Sequence, residues 1–458
     1  MRRNWKPTWN WFKINWKNQG DLHNLVFVFI ALILPILFSL LELFLKIGFL
    51  VFIINLFFIL ITFRKKHLLY VLIFSLIICF LIFIILKIRT DSFEQNINGE
   101  FKVIRKFKNS YILQKGINKY FIKTKISFEE YEILKVSGNL EAINIDDYNF
   151  SNFLKSENVF HEIKNFEINK ISDSFSFKGE LKKYFASGSE IYQKYMSLFY
   201  LGKVNNLNEF EYQQFQNLQL LHLVIISGFH LSIVKFVYFK IFKLFRLKQK
   251  YIDLSFILVV VFLLIFFEFH ISIFRYATVY LLAIIFKYLF SKKINHYFLI
   301  LISLNLFLVF NPFYLIRDAL IFSYGLSFYI SFLNKMNYKN KITKFLIMSL
   351  TTYFMAVPLV VLITNKFIIF AYFFTLLATP IIGAIYIFSA LFFYLRDFLT
   401  IIFEMFDWLI NRFLEINFYI EISNVYKWFY LPYYIIFSFS SILIIKNIKP
   451  RIKHIKLA

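Results

Sequence analysis

Residues Leu68–Ile88 read LLYVLIFSLIICFLIFIILKI, an apolar run in which Lys87 is the only charged residue. A helix of about 20 apolar residues spans the hydrocarbon core of a bilayer, which is roughly 30 Å thick. About ten such runs occur in the 458 residues, of which 17% are charged, whereas about a quarter are charged in soluble proteins. The sequence therefore predicts a polytopic α-helical membrane protein with about 10–12 spans and excludes an ordinary soluble enzyme.

This run completes a group of three predicted spans in residues 22–88, which begin near residues 22, 47 and 68. Residues 1–21 are basic and hold four tryptophans, a composition typical of a segment at the membrane interface. Basic residues precede the first span and separate the second from the third, and such connections favour the cytoplasmic side. We therefore expect a cytoplasmic N-terminus and a chain that leaves the third span on the extracytoplasmic side.

Residues 89–180 change character, because polar and apolar residues alternate there over short stretches such as 101–105 and 120–123. Turn-forming pairs such as Asn98-Gly99 separate these stretches. The pattern predicts several short β-strands, and hence a small all-β domain built as a barrel or a sandwich. Following the third span, this domain is expected to be extracytoplasmic. Residues 181–216 show helical spacing instead and predict an amphipathic connector on the membrane surface.

The net charge of +25 is unevenly distributed along the chain. Basic and acidic residues nearly cancel between residues 89 and 211, so the excess lies in the membrane part. There, the predicted bundle at 217–446 includes apolar runs at 319–334, 398–420 and 426–446. Lys and Arg cluster at alternate connections of this bundle, including Arg396, and in the tail at 447–458. Such clusters favour the cytoplasmic side, which also places the C-terminus there. The charge thus indicates orientation in the cell membrane rather than a basic nucleic-acid groove.

Polar residues are densest in the segment 220–230, which reads LLHLVIISGFH. If this segment is one helix, His222, Ile226 and His230 lie four residues apart on one face, with Ser227 beside them. Gly228 permits a close backbone approach or a break in the helix. Hydrogen bonding between helices would explain these residues without any transport. A metal site or a catalytic Ser–His pair is disfavoured, because the segment contains no carboxylate ligand and no acid to orient the pair.

Further polar residues interrupt the apolar runs near their expected extracytoplasmic ends. They are His270, Ser272 and Arg275, then Asn311-Pro312 and Arg317-Asp318, then Ser323-Tyr324-Gly325. Polar residues within spans usually face a bundle interior or a water-filled cavity. Arg275 could extend its guanidinium to the interface, or it could contact a phosphate or a partner helix. Arg317 and Asp318 could form no more than a solvated loop pair.

Three of these segments resemble motifs of the ComEC/Rec-type competence protein family. His222-Leu-Val-Ile-Ile-Ser227-Gly228-Phe-His230 resembles the family's "HLLAISGLH"-like signature, and Ser272-Ile-Phe-Arg275 is similar to its Pro-Ser-x-x-Arg-Ala stretch. Asn311-Pro312 followed by Ser323-Tyr324-Gly325 keeps the family's order and spacing. The resemblance covers nearly the whole chain, from the first spans through the β domain to the bundle.

The resemblance implies a channel in the cell membrane that passes one strand of DNA into the cytoplasm during natural transformation. It also implies that the inserted β domain is OB-like and binds DNA. Many family members end in a metallo-β-lactamase-like nuclease domain, whereas this chain stops at Ala458 without a His-x-His-x-Asp motif. We therefore expect no enzymatic activity, no metal and no cofactor. The expected partners are single-stranded DNA, the lipid bilayer and a separate ATPase, DNA receptor and nuclease; oligomerisation stays open.

Two sets of candidate residues follow. The channel-lining candidates are His222, Ser227, Gly228, His230, Ser272, Arg275, Asn311, Ser323 and Tyr324. The DNA-binding candidates, on a basic edge of the β domain, are Lys102, Arg105, Lys106, Lys108, Lys115, Lys119 and Lys123. Aromatic residues on that edge could stack on bases, although aromatic residues in strands more often form a barrel core. These aromatic residues are Phe101, Phe107, Tyr111, Tyr120 and Phe121.

Other classes of function stay open at this point. A transporter of another anionic substrate would share the polar residues within the spans, and salt-sensitive binding of single strands to the β domain would argue against it. A non-transporting membrane assembly protein would need no continuous polar path, so uptake into reconstituted vesicles would exclude it. An embedded hydrolase is the weakest alternative, because no metal cluster or oriented triad is evident in the sequence.

Overall fold

The computed structural model describes residues 19–45, 48, 50–51, 53–55, 66–90, 96–107, 109–116, 118–143, 148–173, 177–202, 209–291, 294–334 and 340–422. The predictions for the N-terminal interfacial segment, most of the second span, the span at 426–446 and the basic tail fall outside these residues. Within them, the chain forms a mostly helical membrane protein with one separate small barrel, which confirms the predicted fold class.

Six described helices are long and apolar enough to cross a membrane. They are Leu69–Ile88, Leu221–Leu244, Gln249–Phe266, Ile271–Tyr288, Lys341–Val361 and Ala371–Leu391, and two shorter apolar helices lie at Ile30–Leu43 and His296–Phe310. The spans expected at 319–334 and 398–420 are not among these candidates. The first is divided into short helical pieces, and the second is an amphipathic helix, as described below.

Five strands close into a barrel in the order β1-β2-β3-β5-β4. They are β1 (Asn96–Lys106), β2 (Ser110–Lys115), β3 (Asn118–Lys123), β4 (Glu132–Ala142) and β5 (Val159–Asp173). Strands β3 and β5 pair in parallel and all other neighbours are antiparallel. Closure leaves no unpaired sheet edge, and the alternating sequence pattern fills the interior. The predicted OB-like barrel is thus confirmed.

The aromatic residues of the barrel lie in its cores. Phe101, Tyr111 and Tyr120 are at most 8% exposed in the barrel interior, where Phe101 and Tyr120 meet edge to face. Phe121 points to the other side of the wall and is fully buried there beneath helix α3 (Tyr148–Ser156). Base stacking on these four residues is therefore excluded, and the expectation that barrel aromatics form the core is confirmed. Phe107 packs partly buried against the same helix.

Three helices share a compact unit with the barrel, which comprises residues 1–175 and 278–320 and is called the barrel unit here. They are α1 (Gln19–Leu45), α2 (Lys66–Thr90) and α11 (His296–Phe310). The fully buried Asn305 of α11 donates a hydrogen bond from Nδ2 to the carbonyl of Leu32 in α1 (2.9 Å). Helix α11 therefore packs with the N-terminal helices, although it lies within residues 217–446 in sequence.

The second compact unit comprises residues 176–277 and 321–458 and is called the bundle unit here. Its helices before the boundary at residue 277 are α4 (Phe177–Ala186), α5 (Glu190–Met196), α6 (Glu209–Asn217), α7 (Leu221–Val224), α8 (Gly228–Leu244), α9 (Gln249–Phe266) and the start of α10 (Ile271–Tyr288). Those after residue 321 are α12 (Leu326–Leu333), α13 (Lys341–Thr364), α14 (Ala371–Leu391) and α15 (Arg396–Ile416). A two-stranded antiparallel sheet of β6 (Lys366–Ile368), which follows α13, and β7 (Tyr419–Glu421), which follows α15, brings the ends of these two helices together.

Helix α15 buries one face in the aromatic core of the bundle unit. Leu399, Phe403, Phe406, Ile410 and Phe413 recur every three or four residues and are at most 9% exposed, which is the stripe of an amphipathic helix. The rest of the helix surface mixes charged residues with exposed apolar ones such as Ile401, Met405 and Trp408. The six charged residues of the helix explain why this predicted span is not apolar enough to count as one. Arg396 at its start donates to the Ser187 carbonyl (3.3 Å). Arg396 therefore lies beside the chain that follows the β domain, and the cytoplasmic side expected from its charge stays a prediction.

Candidate functional site

The helix predicted through residues 220–230 is broken after one turn. Helix α7 ends at Val224, Ile225 and Ser227 are extended, and α8 begins at Gly228. The predicted stripe of His222, Ile226 and His230 at four-residue spacing is therefore wrong. Serine is a favoured residue immediately before a helix, so Ser227 followed by Gly228 starts a new helix. The break at Gly228 that the sequence also allows is present instead.

His230, in the first turn of α8, accepts a hydrogen bond from the backbone of the residue that precedes this helix. The Ser227 backbone N–H donates to His230 Nδ1 (3.1 Å), and the Ser227 hydroxyl lies 3.2 Å from the same nitrogen. A ring nitrogen that accepts a hydrogen bond carries no proton, so the neutral imidazole holds its hydrogen on Nε2. His230 is fully buried, and its Nε2 has no hydrogen-bond partner among the described residues. The ring of Tyr386 meets it edge to face at 4.5 Å.

Arg275 brings the second predicted segment against the start of α8. A Cβ atom added to Gly228 would lie 2.7 Å from the nearer guanidinium nitrogen of Arg275. A side chain at position 228 would therefore displace the guanidinium from this place. Another guanidinium nitrogen donates to the backbone carbonyl of Ser323. Three segments that are far apart in sequence, at 227–230, 275 and 323, thus meet within the bundle unit.

The third segment forms a π-helical turn at Ile321–Gly325, a feature that is frequent at functional sites. Ser323 is 8% exposed, and its hydroxyl has no hydrogen-bond partner among the described residues. Tyr324 beside it is 3% exposed. The turn explains why residues 319–334 do not form a regular span. It places the Ser323 carbonyl where Arg275 can bind it.

The chemistry of this cluster favours an anion. The start of α8 presents backbone N–H groups and the positive end of a helix dipole. Arg275 adds a cation, and the His230 Nε2–H and the Ser323 hydroxyl add buried groups that need partners. Buried polar groups without partners are costly, so they are expected where a ligand supplies the missing contact. In the described part of the chain, no cluster of three or more metal-ligating side chains occurs.

The remaining channel-lining candidates lie elsewhere. His222 is exposed on α7, before the break, and Ser272 is half-buried in the first turn of α10. Asn311 is fully buried in the barrel unit, where its amide contacts the C-terminal end of α3. A role of these three residues in lining a path stays a prediction.

The described DNA-binding candidates of the barrel lie on β1, β2 and β3. Several already have partners: Arg105 lies 3.4 Å from Glu157, Lys106 pairs with Glu129 (2.9 Å), and Lys115 donates to the Asn98 carbonyl (2.7 Å). Lys102 lies over the ring of Tyr131, Lys119 is half-buried, and Lys123 is exposed over the ring of Phe121. Lys108 lies outside the described residues. Their role in DNA binding stays a prediction.

Two further polar clusters have no signature in the sequence. Lys194 is 8% exposed, and its ammonium group lies 2.8 Å from Asp407 and 3.2 Å from Glu211. In the barrel unit, Glu157 lies between Arg105 and Arg317. Glu157 and Arg317 are far apart in sequence, and no local pattern links them. The residues of each cluster come together only because the helices and strands that carry them pack against one another.

Comparison with known proteins gives one match. The family model for competence proteins matches residues 199–448, which is more than half of the chain. The matched range contains all three segments that meet at the start of α8, and the barrel precedes it. No curated protein and no solved structure matches.

Proposed function

Because this chain belongs to the competence protein family, which gives it a role in DNA uptake, we propose that it is a channel that passes single-stranded DNA across the cell membrane during natural transformation. The six apolar helices make it a multi-pass membrane protein. The observation that carries the proposal is the start of α8, where Arg275 lies against Gly228 and donates to the Ser323 carbonyl. In the same unit, the buried His230 Nε2 and Ser323 hydroxyl have no partner among the described residues.

This cluster suits the phosphates of a moving strand. Each phosphate would receive hydrogen bonds from backbone N–H groups at the start of α8 and from the His230 Nε2–H. Neutral donors hold a charge less firmly than a row of cations, so successive phosphates could exchange without being trapped. Arg275 supplies one fixed positive charge, which favours entry of the strand. Because these contacts involve only the phosphodiester backbone, they carry no sequence preference.

The protein would supply the path, and other proteins the rest of the process. We propose that a separate ATPase drives transport, that a separate receptor delivers DNA, and that a separate nuclease degrades the second strand. No step proposed for this chain makes or breaks a covalent bond. The channel is proposed to work with cytoplasmic termini and an extracytoplasmic barrel, as the charge of the connections predicts.

Uptake of labelled DNA by cells that lack the protein and carry a variant tests the proposal. Arg275→Gln removes the cation but keeps a hydrogen-bonding side chain, and we expect uptake to fall at least about tenfold, which equals about 1.4 kcal/mol. Arg412→Gln is the matched control, because Arg412 forms an exposed pair with Glu415 (2.6 Å) in the same unit. Parental uptake by a normally expressed Arg275→Gln variant would contradict the proposal.

Transport into vesicles distinguishes a DNA strand from another anionic substrate. In vesicles that contain the purified chain, a transporter of small anions would move inorganic phosphate and would depend on Arg275 in doing so. The proposal expects instead that labelled single strands become protected from an external nuclease, while inorganic phosphate stays outside.

A further inference from the structure

One face of the barrel is covered by the chain itself. Ile112 of β2 and Phe121 of β3 are register neighbours on the outer side of the wall, and both are at most 2% exposed. Helix α3 covers them with Phe150, Phe153 and Leu154. The rings of Phe121 and Phe150 meet at 5.7 Å. In OB folds, oligonucleotides commonly bind to the surface of strands 2 and 3. In this chain, helix α3 covers the corresponding surface.

Helix α3 is in turn bound to the end of helix α11. Asn311, which follows α11, donates from Nδ2 to the carbonyls of Lys155 (2.8 Å) and Ser156 (3.2 Å). These carbonyls belong to the last turn of α3, which lacks partners within the helix. The Asn311 Oδ1 accepts from the Phe313 N–H (3.0 Å) and thereby caps the 3₁₀ turn Pro312–Ile316. Asn311 thus uses its acceptor for its own turn and its donor for the barrel.

An ion pair reinforces the same junction. Glu157, just beyond α3, lies 2.7 Å from Arg317 and 3.4 Å from Arg105 of β1, and its side chain is 18% exposed. Both guanidinium groups also lie over the ring of Phe153, at 5.2 and 5.7 Å. Burial raises the pKa of Glu157, but the charges of Arg105 and Arg317 outweigh it and hold the pKa at about 2. The carboxylate is therefore ionised at every physiological pH.

We infer that the outer face of β2 and β3 is an intramolecular docking surface, which seats the barrel through α3 on the end of α11. Asn311, Glu157 and Arg317 are positioning residues in this arrangement, and this face does not bind the strand. The barrel is then a fixed body on its membrane helices, and DNA contacts it only through exposed charges elsewhere. The docking itself does not depend on the proposed function, whereas the statement about DNA rests on it.

Replacing Phe121 tests the statement about DNA. Phe121→Leu keeps an apolar side chain of similar size but removes the ring on which a base could stack. Stacking contributes about 1–3 kcal/mol per base, so loss of a stacked base would lower affinity at least about fivefold. We expect the full chain in nanodiscs to bind a labelled dT oligomer within twofold of the parental affinity. A fivefold loss would overturn the statement, whereas a parent that binds no oligomer would refute the proposed function.

Distance measurements between spin labels test the docking directly. Asn169 on β5 and Ile88 on α2 are exposed, and each is replaced by a labelled cysteine in the full chain carrying Cys79→Ser. Asn311→Asp keeps the cap on Phe313 but loses both bonds to α3, and Glu157→Gln removes the carboxylate. Glu141→Gln is the matched control, because it breaks an exposed ion pair with Lys164 on the same barrel (2.6 Å).

We expect one narrow distance distribution in the parent and in Glu141→Gln, and at least a doubling of its width in Asn311→Asp and Glu157→Gln. Unchanged widths in both junction variants would overturn the inference. So would an equal broadening in the control, because the effect would then not depend on this junction.

Discussion

The start of α8 in the bundle unit and the junction at Glu157 in the barrel unit are both polar, partly buried and assembled from distant segments. They differ in how completely their polar groups are paired. Asn311 has partners for both its donor and its acceptor groups, and the Glu157 carboxylate has two cationic partners, Arg105 and Arg317. The His230 Nε2 and the Ser323 hydroxyl lack partners among the described residues. A fully paired cluster holds elements together, whereas unpaired buried groups indicate a place for a ligand.

The largest effect on DNA uptake is expected from a substitution at Gly228, at the start of α8. Gly228→Ala places a methyl group 2.7 Å from Arg275 and so displaces the guanidinium from the start of α8. We expect DNA uptake to fall at least about tenfold, which corresponds to about 1.4 kcal/mol, with normal expression. Gly325→Ala is the matched control, because an added Cβ there meets nothing within 4 Å. Equal uptake by the two variants would remove Arg275 from the proposed path.

The second prediction concerns the stability of the paired cluster. Glu157→Gln leaves Arg105 and Arg317 without their carboxylate, and breaking a buried pair in this way costs about 3 kcal/mol of the free energy of unfolding. Chemical denaturation of the full chain, followed through a label on the barrel, measures this loss. Gly228→Ala is expected to leave the same unfolding free energy unchanged. A stable Glu157→Gln variant would mean that the junction does not hold the barrel.

The pH dependence of the unfolding free energy tests the contribution of the Glu157 carboxylate separately. The folded-state pKa of Glu157 is about 2, below the usual value for glutamate of about 4.3. Its contribution to the unfolding free energy is therefore fully present above about pH 4.3 and is lost as the pH falls toward 2. We expect the parent to lose this part of its stability within that window, and Glu157→Gln to lack it. Parallel pH curves for the two proteins would contradict the assignment.

The smallest effect is expected at an exposed cation of the barrel. Lys123→Gln should lower the affinity of the full chain for a dT oligomer only about two- to threefold, because one screened phosphate contact is lost. The slope of log affinity against log salt concentration should fall by about 0.7, the value for one phosphate of a single strand. An affinity loss of about tenfold, as large as the uptake loss expected for Arg275→Gln, would place the main DNA contact on the barrel and not at the start of α8.

Residues with a local signature were found from the sequence. Apolar runs such as Leu68–Ile88 predicted the spans, alternation over residues 101–105 predicted strands, and polarity selected Gly228, Arg275 and Ser323. These signals depend on composition and period alone. The break before α8 was only an alternative, because a helical period in an apolar segment does not show where backbone hydrogen bonding is interrupted.

Roles that depend on distant pairing could not be predicted in this way. Asn311 was selected for its polarity, but its contacts with α3 depend on how the barrel packs against α11. Phe121 shows the same limit, because the sequence allowed either base stacking or a place in a core, and its burial depends on how α3 packs on the barrel wall. Lys194 and Asp407 are separated by the whole span region of the bundle unit and carry no local sign of their pairing.

Photocrosslinking from the DNA backbone locates the contact between the strand and the start of α8. A dT oligomer with an azidophenacyl group on one backbone phosphorothioate is bound to the full chain in nanodiscs and irradiated, and the attached peptides are identified. We expect crosslinks within residues 227–230 or beside Arg275 and Ser323, and their loss in Gly228→Ala but not in Gly325→Ala. Crosslinks confined to the barrel at residues 96–173, unchanged in both variants, would contradict it.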